Sequence, residues 1–495
     1  MKAKSLCYML AATAVAGSAG AQQPSEYLDT IWGWEAAYLE VDEVPVSLQR
    51  SMTPQQQLTR RQPGVPTRAQ VLHQTRSRDE DTTKAPCRGW RFMPATPQKF
   101  MPYLDSLFVP GNTCAEPCEI MNQDMVSSSA QWVKNALSRY GLQYDLTASY
   151  NFTSVKPSPR HHRGDFSSFN FSMTGTWFLA KDCDNSQGVF LTFEADWGPG
   201  TNFTERKSSA QQSLGSLSNP QGCLRGGNGV FLPQLALGYS GFDGKWVAMV
   251  GTLDLSNYFD QNAYSPSWAG GLMNQSFAYN PCLPLTWANF GFLTAWQPCD
   301  NFYAMYATGS TNTGVNQNPF SDLSSNYWAH VGELGFVFED AMGMGAGTYR
   351  LQGTIVDHEG KTGAGVGINI QQQMGRNSRL GFFTRAGYMG QHASRLTGVK
   401  CSATAGFMLQ APFTDAGWGS RSNNENISFG FLWERAASSQ RPAAHMDEYG
   451  LELSAVVQLT PTFFLQPDVQ YIFNPVHATD KDGAVVLQMQ GVFKF

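Results

Sequence analysis

The sequence contains few charged residues and no apolar run long enough to cross a membrane as a helix. Charged residues make up 15% of the 495 residues, whereas about 25% is usual for soluble domains. Past the first residues, no stretch approaches the roughly 18 consecutive apolar residues that a membrane-spanning helix requires. The formal net charge of −5 argues against a nucleic-acid partner. These shortages exclude a helical membrane protein and a basic nucleic-acid-binding protein.

Aromatic residues and glycine are abundant, and they accompany a two-residue periodicity. Aromatic residues make up 13% of the chain, and 48 residues are glycine. In the final stretch, GAVVLQMQGVFKF, apolar Leu487, Met489 and Phe493 occupy odd positions, whereas Gln488 and Gln490 occupy even ones. Because the side chains of a β-strand alternate between its faces, this pattern indicates a strand with one apolar side. The composition predicts an all-β protein in which one face of each strand is exposed to water.

The first 21 residues have the organisation of a secretory signal peptide. Lys2 and Lys4 give a positive start, residues 6–16 form a short apolar core, and residues 19–21 read A-G-A, a typical cleavage site. We therefore expect the mature chain to begin at Gln22 and to be exported.

The rest of the chain divides into three parts. Residues 22–126 are rich in Gln, Pro and Arg and lack a sustained periodicity, which predicts an irregular N-terminal extension. Residues 127–141 predict a short helix, capped by serines near residue 128 and ended by Gly141. Residues 142–495 show strand-like alternation throughout.

That last part predicts an outer-membrane transmembrane β-barrel of about 16 antiparallel strands, because dyad-alternating strands of about 9–11 residues are typical of such barrels. The expected strands are 142–152, 168–180, 187–196, 231–241, 246–254, 287–297, 301–309, 330–339, 346–357, 363–374, 378–389, 399–410, 426–435, 447–459, 462–473 and 483–495.

The connections between these strands favour a barrel over a soluble β-sandwich. Tight turns at 241–245, 297–301, 375–378 and 459–461 each follow an even-numbered strand, whereas the long connections 197–230, 255–286 and 310–329 each follow an odd-numbered one. Outer-membrane barrels sort their loops in this way, with short periplasmic turns and long external loops. Because lipid tolerates no open sheet edge, the last strand must pair with the first, and we expect Phe495 at the periplasmic rim.

The C-terminal stretch LSAVVQLTPTFFLQPDVQYIFNP resembles a signature of the carbohydrate-selective porins of the OprB family. Other segments resemble the same family in the same order: QWVKNALSRYGLQYDLTASY, WVAMVGTLDLSNYFD, LMNQSFAYNP and LGFFTRAGYM. The resemblance covers about residues 128–495. Thr252 stands where the family has Lys in its G-K-L-D pattern, and the cysteines and the N-terminal extension are not part of that pattern.

The resemblance implies a sixteen-stranded outer-membrane channel for passive, selective diffusion of monosaccharides or small oligosaccharides. Its implied partners are small sugars, outer-membrane lipid and other copies of itself as an oligomer; no cofactor, metal or nucleic acid is implied. Two alternatives stay open: a general, anion or small-solute porin, and a structural or adhesion barrel that uses the basic extension. An enzyme is disfavoured, because the sequence has no G-x-S-x-G or comparable cue around His161, His162 or His330.

Strand parity predicts a polar, water-filled lumen and names the residues that line it. Arg385 lies in LGFFTRAGYM, the segment that resembles the family's F-x-R-x-G-Y pattern. Arg350 must also point inward, because a mid-strand Arg facing lipid costs about 2–4 kcal/mol. The residues predicted to line the pore are Glu194, Asp196, Asp254, Arg350, Arg385, Glu452, Asp468 and Gln470, and parity also directs Glu434 and Glu448 inward.

Opposed charges are expected to form the constriction of this lumen. In this hypothesis Arg350 and Arg385 face Glu452 and Asp468 across water and offer hydrogen bonds to sugar hydroxyls. The alternative is that these charges form ion pairs that brace the barrel wall. The aromatic loop 255–286 either folds into the pore or caps it from outside.

Eight cysteines remain after signal cleavage, and a disulfide is plausible in an oxidising compartment. Cys223 and Cys282 both fall in long external loops and are candidates for a pair. Cys282 and Cys299 are separated by a strand of about 10 residues at about 3.3 Å each, too far for a disulfide. Cys87, Cys114 and Cys118 lack a fourth ligand at zinc-binding spacing. Cys114 and Cys118, or Cys87 with either, are candidates for a local disulfide.

Deleting Phe495 is expected to reduce assembly of the folded barrel, because the last strand must close the sheet at the periplasmic rim. The measurement is the fraction of protein that keeps a heat-modifiable mobility in gels run without boiling. An unchanged folded fraction would contradict this role of the terminal aromatic residue.

Overall fold

The structure is a computed structural model, and it describes most of the chain from residue 140 onward. The described residues are 90–92, 133–134, 137, 140–156, 164–182, 187–199, 210–222, 228–266, 269–286, 288–311, 327–358, 360–376, 378–413, 425–440, 444–460, 462–478 and 482–494. The signal peptide, almost all of the extension, Phe495, Cys223 and the His161–His162 pair therefore lie outside the described residues.

Sixteen antiparallel strands close into a barrel, which confirms the predicted fold class. A short additional strand, β1, pairs with β3. The strands are β1 (Trp90–Phe92), β2 (Leu142–Lys156), β3 (Asp165–Asp182), β4 (Gly188–Pro199), β5 (Asn228–Gly241), β6 (Trp246–Leu253), β7 (Asn289–Cys299), β8 (Phe302–Ser310), β9 (Tyr327–Phe338), β10 (Gly347–His358), β11 (Lys361–Gln373), β12 (Leu380–Met389), β13 (Val399–Gln410), β14 (Asn426–Ala436), β15 (Asp447–Gln458), β16 (Phe463–Phe473) and β17 (Gly483–Lys494).

Pairing of β17 with β2 closes the barrel. The ladder runs from Val485 opposite Lys156 to Lys494 opposite Thr147. The last strand therefore meets the first, as its alternation predicts, and the barrel has no open edge between these two strands.

The alternation of each strand separates an apolar outer face from a polar inner face. On β15, the outward Leu451 and Leu453 are exposed, whereas the inward Glu452 and Ser454 are buried. β16 and β17 follow the same pattern, with Val469 and Leu487 exposed outside. An apolar outer surface suits lipid, and a polar inner face needs partners inside the barrel.

The helical elements of the described residues are few and short. They are α1 (Ala210–Leu214), α2 (Gln275–Ala278) and α3 (Ser394–Thr397), with 3-10 turns at Leu255–Asn257, Ala341–Gly343 and Ser438–Gln440. Within the described part of the chain, no helix is both long and apolar enough to cross a membrane.

Loops are sorted between the two ends of the barrel, with two departures. We call the end where β2 starts and β17 finishes the turn rim, and the opposite end the loop rim. The connection between β13 and β14, residues 411–425, is long although it lies at the turn rim. The connection between β10 and β11 is tight although it lies at the loop rim; Gly360 enables it with a φ of 72°, which favours glycine.

The residues just before β2 are attached to the seam between β2 and β17. Residues 133–134 are helical, and Lys134 Nζ lies 2.6 Å from Asp145 Oδ1 at the start of β2. At the end of β17, Lys494 Nζ lies 5.1 Å from the centre of the Phe464 ring and attracts Asp145 electrostatically. Lys134 is thus held beside the seam at which the barrel closes.

Three cysteines are described, and all three are free thiols. Cys282, the proposed partner of Cys223, is buried inside the barrel, whereas Cys299 is exposed at the turn rim. The separation of these two residues by the length of β7 agrees with the expectation that they do not pair.

Replacing Lys134 with Met is expected to lower the stability of the barrel by about 1–3 kcal/mol, because a partly buried carboxylate at Asp145 loses a charged hydrogen bond. The temperature at which the gel mobility shifts should fall. Lys361→Met, in the exposed turn at the loop rim, is the control and should leave that temperature unchanged. Equal transitions for both variants would show that the contact at the seam adds no stability.

Candidate functional site

The long connection between β6 and β7 folds into the barrel. Of the two expectations for this loop, folding into the pore and capping it from outside, the structure shows the first. We call residues 254–286 the inner loop. Leu255, Phe259, Leu272, Met273 and Phe277 are fully buried. Because these side chains belong to a loop between two wall strands, their burial shows that the loop occupies the lumen.

Local capping shapes the inner loop before it meets the wall. Asp254 Oδ1 accepts a hydrogen bond of 2.9 Å from Ser256 N at the first 3-10 turn. Asn274 caps α2 by accepting one of 3.1 Å from Ser276 N. Asp260 has a positive φ of 60° between these two turns, a conformation that Asp tolerates better than most residues. The loop therefore reverses direction at a residue whose carboxylate faces the wall.

Arg385 is the main contact of the inner loop with β12. The side chain is fully buried. Its Nε lies 3.0 Å from Asp260 Oδ2, and its guanidinium donates to the backbone carbonyls of Asp260 at 3.0 Å, Ser265 at 3.1 Å, Ala278 at 3.1 Å and Phe277. One guanidinium thus binds carbonyls from both halves of the loop, as its planar fork of donors allows.

Arg350 belongs to a second, adjacent pair on β9 and β10. Its Nε lies 3.8 Å from Glu333 Oε1 and donates to Tyr303 Oη at 3.0 Å. Glu333 in turn accepts from Tyr303 Oη at 2.6 Å and from Asp260 N at 3.0 Å. Gln352 donates to both Glu333 at 2.8 Å and Asp260 at 2.9 Å. The two arginine–carboxylate pairs therefore form one network around Asp260.

Glu452, on β15 and three strands away from β12, holds another part of the inner loop, and Asp468 lies on the next strand. Glu452 on β15 accepts hydrogen bonds from the backbone amides of Met273 and Asn274. Asp468 accepts from Gln470 at 2.9 Å and from Gln488 at 3.0 Å. Arg350 and Arg385 have Glu333 and Asp260 as their ion-pair partners, and the inner loop lies between the arginines and Glu452.

A second segment also enters the lumen, and sequence reasoning missed it. We call residues 210–222 the inner segment. Glu448 accepts hydrogen bonds from Ser216 Oγ and Leu217 N, both at 2.7 Å, and from Ser218 N at 2.9 Å. The amide of Gln275 in the inner loop donates to Asn219 O at 3.0 Å. The two inward elements are therefore joined to each other as well as to the wall.

The base of the inner segment is held by amide side chains of the last two strands. Gln470 and Gln488 donate to Pro220 O at 2.8 and 2.6 Å. Gln488 Oε1 accepts from Gly222 N at 3.2 Å, and a Cβ at Gly222 would lie 3.0 Å from Gln490 Oε1. The close approach of backbone and wall favours glycine here.

All eight residues predicted to line the pore point into the barrel, and each is at most 6% exposed. Glu194 accepts a hydrogen bond of 2.9 Å from Asn257 in the inner loop, and Asp254 lies within that loop. The eight residues are Glu194, Asp196, Asp254, Arg350, Arg385, Glu452, Asp468 and Gln470. Four of them, Glu194, Arg385, Glu452 and Gln470, bind the inner loop or the inner segment directly.

Two further residues of the network, Glu333 and Asp260, were not among the residues predicted to face inward, although the sequence carried a signal for each. Glu333 is a mid-strand carboxylate of β9, subject to the same lipid argument as Arg350. Asp260 ends the segment WVAMVGTLDLSNYFD, which resembles the family pattern. The contact of Asp260 with Arg385 has no local signal, because it depends on the path of the loop.

Burial also changes the acidity of groups on the inner loop. Burial raises the pKa of the Tyr264 phenol. It likewise raises the pKa of the Cys282 thiol, and the negative charge of Glu434 adds to that shift. Both groups are therefore neutral at ordinary pH.

A family model described as carbohydrate-selective porin, OprB family, matches residues 139–495. The solved structure of Pseudomonas putida OprB at high pH is similar, with 15% identity, a TM-score of 0.55, and coverage of 73% of this chain and 96% of that one. A triple mutant of Rhodopseudomonas blastica porin matches at 9% identity with a TM-score of 0.46, covering 71% of this chain and 99% of that one. No curated protein sequence matches the chain. The Pseudomonas likeness supports the barrel fold.

Replacing Glu448 with Ala is expected to release the inner segment, because the segment loses several hydrogen bonds to one carboxylate, each worth about 1.5–3 kcal/mol. Chymotrypsin cleavage after Leu214 or Leu217 should accelerate at least about tenfold through local opening. Asp357→Ala, at the loop rim outside this network, is the control. If Glu448→Ala resists the protease as the parent protein does, Glu448 does not hold the segment.

Proposed function

The chain belongs to the OprB family of carbohydrate-selective porins, and from this premise we propose that it is a porin for passive diffusion of monosaccharides and small oligosaccharides. The family and the transmembrane barrel imply an outer-membrane location and a channel rather than an enzyme. Removal of residues 1–21 before assembly and association into oligomers are parts of the same proposal.

The observation that carries the proposal is the inner loop, held inside a polar barrel by buried charged side chains on several wall strands. A wide barrel without such a loop passes solutes with little selection. A loop fixed by Arg385 on one side and Glu452 on the other narrows the passage to a defined width. Because both anchors lie inside the barrel, solute cannot displace the loop without breaking several charged hydrogen bonds.

Weak binding suits this function. Each sugar hydroxyl exchanges a hydrogen bond with water for one with the protein, which is worth about 0.5–1.5 kcal/mol net. A few such exchanges give roughly millimolar affinity. A channel needs entry to be favourable and exit to be easy, so affinity in this range supports flux.

In this proposal the eight inward residues act on the constriction in two ways. Arg350, Arg385 and Glu452 set its width through the inner loop that they hold or support. The polar inner surface that they share with Asp468 and Gln470 supplies the hydrogen-bonding character that favours hydroxylated solutes. Glu194, Asp196 and Asp254 belong to the part of the wall where the inner loop begins.

A liposome-swelling series tests the substrate class. Purified protein in liposomes is exposed to monosaccharides, disaccharides, amino acids and small anions of matched size. We expect faster swelling with sugars than with the other solutes. Equal rates for amino acids or anions would favour the general porin, and no swelling with any solute would favour the structural or adhesion barrel.

Replacing Arg350 and Arg385 together with Ala is expected to raise single-channel conductance, because the inner loop loses its guanidinium contacts and the passage widens. Block of the ion current by sugar should weaken, and ion preference should shift toward cations as two positive charges are lost. Planar-bilayer recordings measure all three quantities.

Arg376→Ala, at the exposed turn rim, is the matched control for loss of a guanidinium. It should keep the conductance and the sugar block of the parent channel. If the double variant also keeps both, the two arginines do not set the selectivity of the channel.

A further inference from the structure

A cavity of about 380 Å³ opens at the loop rim, above the inner loop. The inner segment and the inner loop form one side of it, and the ends of β8, β13 and β14 form the other. Its lining includes Asn219, Ser276, Tyr279, Thr397 and Glu434. The volume falls within the range of about 300–1,000 Å³ that is typical of small-molecule sites.

Glu434 is the charged side chain of this lining. It is fully buried on the inner face of β14, and neither carboxylate oxygen accepts a hydrogen bond from any described residue. Ser276 lies close enough to stabilise its charge. A buried carboxylate with so little hydrogen bonding is costly, and no positively charged side chain among the described residues pairs with it.

Glu448, the cross-strand neighbour of Glu434, is by contrast well supplied with hydrogen-bond donors. Glu448 lies directly opposite Glu434 in the β14–β15 ladder, and it binds the amides and hydroxyls of the inner segment. Like charges placed opposite each other are destabilising. Because the donors of the inner segment are directed at Glu448, the negative potential at Glu434 is left uncompensated by those groups.

The rest of the lining suits a hydroxylated ring. Ser276, Thr286 and Thr397 bring hydroxyl groups, and Asn219 and Gln275 bring amides. Leu283 and Leu396 offer apolar surface, which can cover the face of a sugar ring. Tyr279 adds an aromatic face, to which a cation is also attracted.

A bound metal ion fits this lining poorly. Among the described residues, no group of three or more His, Cys, Asp or Glu side chains is placed to hold a metal ion. Calcium usually takes six to eight oxygen ligands, often with several carboxylates. A single carboxylate among amides, hydroxyls and leucines fits an organic cation better.

We propose that this cavity binds the ammonium group of an amino sugar, with Glu434 as its counter-ion. The inference rests on the proposed sugar-diffusion function and specifies a preferred substrate class for it. The ammonium lies against the Glu434 carboxylate, and the ring hydroxyls meet the hydroxyl and amide groups of the two inward elements. The preference arises at the mouth, before the solute reaches the inner loop.

The test compares three sugars of similar ring size in planar bilayers at pH 7.5: D-glucosamine, N-acetyl-D-glucosamine and D-glucose. Each is added on the side of the loop rim, and the concentration that halves the ion current is measured. We expect glucosamine to block at a concentration at least about tenfold lower than glucose. N-acetylglucosamine, which has no charge, should resemble glucose.

Glu434→Gln keeps the shape of the side chain but removes its charge, and it should bring the ratio of glucose to glucosamine blocking concentrations close to one. Glu425→Gln is the matched control, since Glu425 is also buried but lies just before β14 at the turn rim; it should keep the parent ratio. Folding of both variants is checked by heat-modifiable mobility.

The parent protein tests the inference even if Glu434→Gln does not fold. Equal block by all three sugars in the parent channel overturns the amino-sugar site but leaves sugar diffusion intact. A parent channel that is blocked by none of them, and that passes none in liposomes, overturns the proposed function itself. A preference that persists in Glu434→Gln assigns the ammonium to another group and also overturns the inference.

Discussion

Satisfaction of backbone hydrogen bonds without water is the constraint on which the rest of this structure depends. Lipid offers no partner for an open sheet edge, so the first and last barrel strands must meet. The ladder between β17 and β2 meets that requirement. In the closed barrel every strand then has two faces, an apolar face toward lipid and a polar face toward the lumen.

The polar inner surface creates a second requirement, because buried polar groups need partners. Two inward elements supply many of them. Arg385 donates to loop carbonyls, and Glu452 and Glu448 accept from backbone amides. Wall and inward elements therefore satisfy each other, and the same contacts that stabilise the interior also narrow the passage.

Function follows from the uneven distribution of these partners. The network around Asp260 is dense. Asp260 pairs with Arg385 and accepts hydrogen bonds from the side-chain amides of Gln352 and Asn369, and Glu333 links it to Arg350. Among the described residues, Glu434 at the mouth has no such set of partners. A densely bonded region can hold a constant pore width, whereas a carboxylate that lines a cavity and has few partners can interact with solute. The region that sets the pore width and the candidate recognition site are thus in different parts of the barrel.

The sequence by itself determined the barrel, its strand order and the inward direction of residues such as Arg350 and Glu452, because strand alternation and turn spacing are local patterns. It left open whether the inward charges face water or brace other groups. Only the tertiary structure decided that Arg385 pairs with Asp260, 125 residues earlier in the chain, and that residues 210–222 enter the lumen. Such contacts depend on the path of loops, whose sequences have no periodic pattern. The path of such a loop is determined by the groups that it contacts inside the closed barrel.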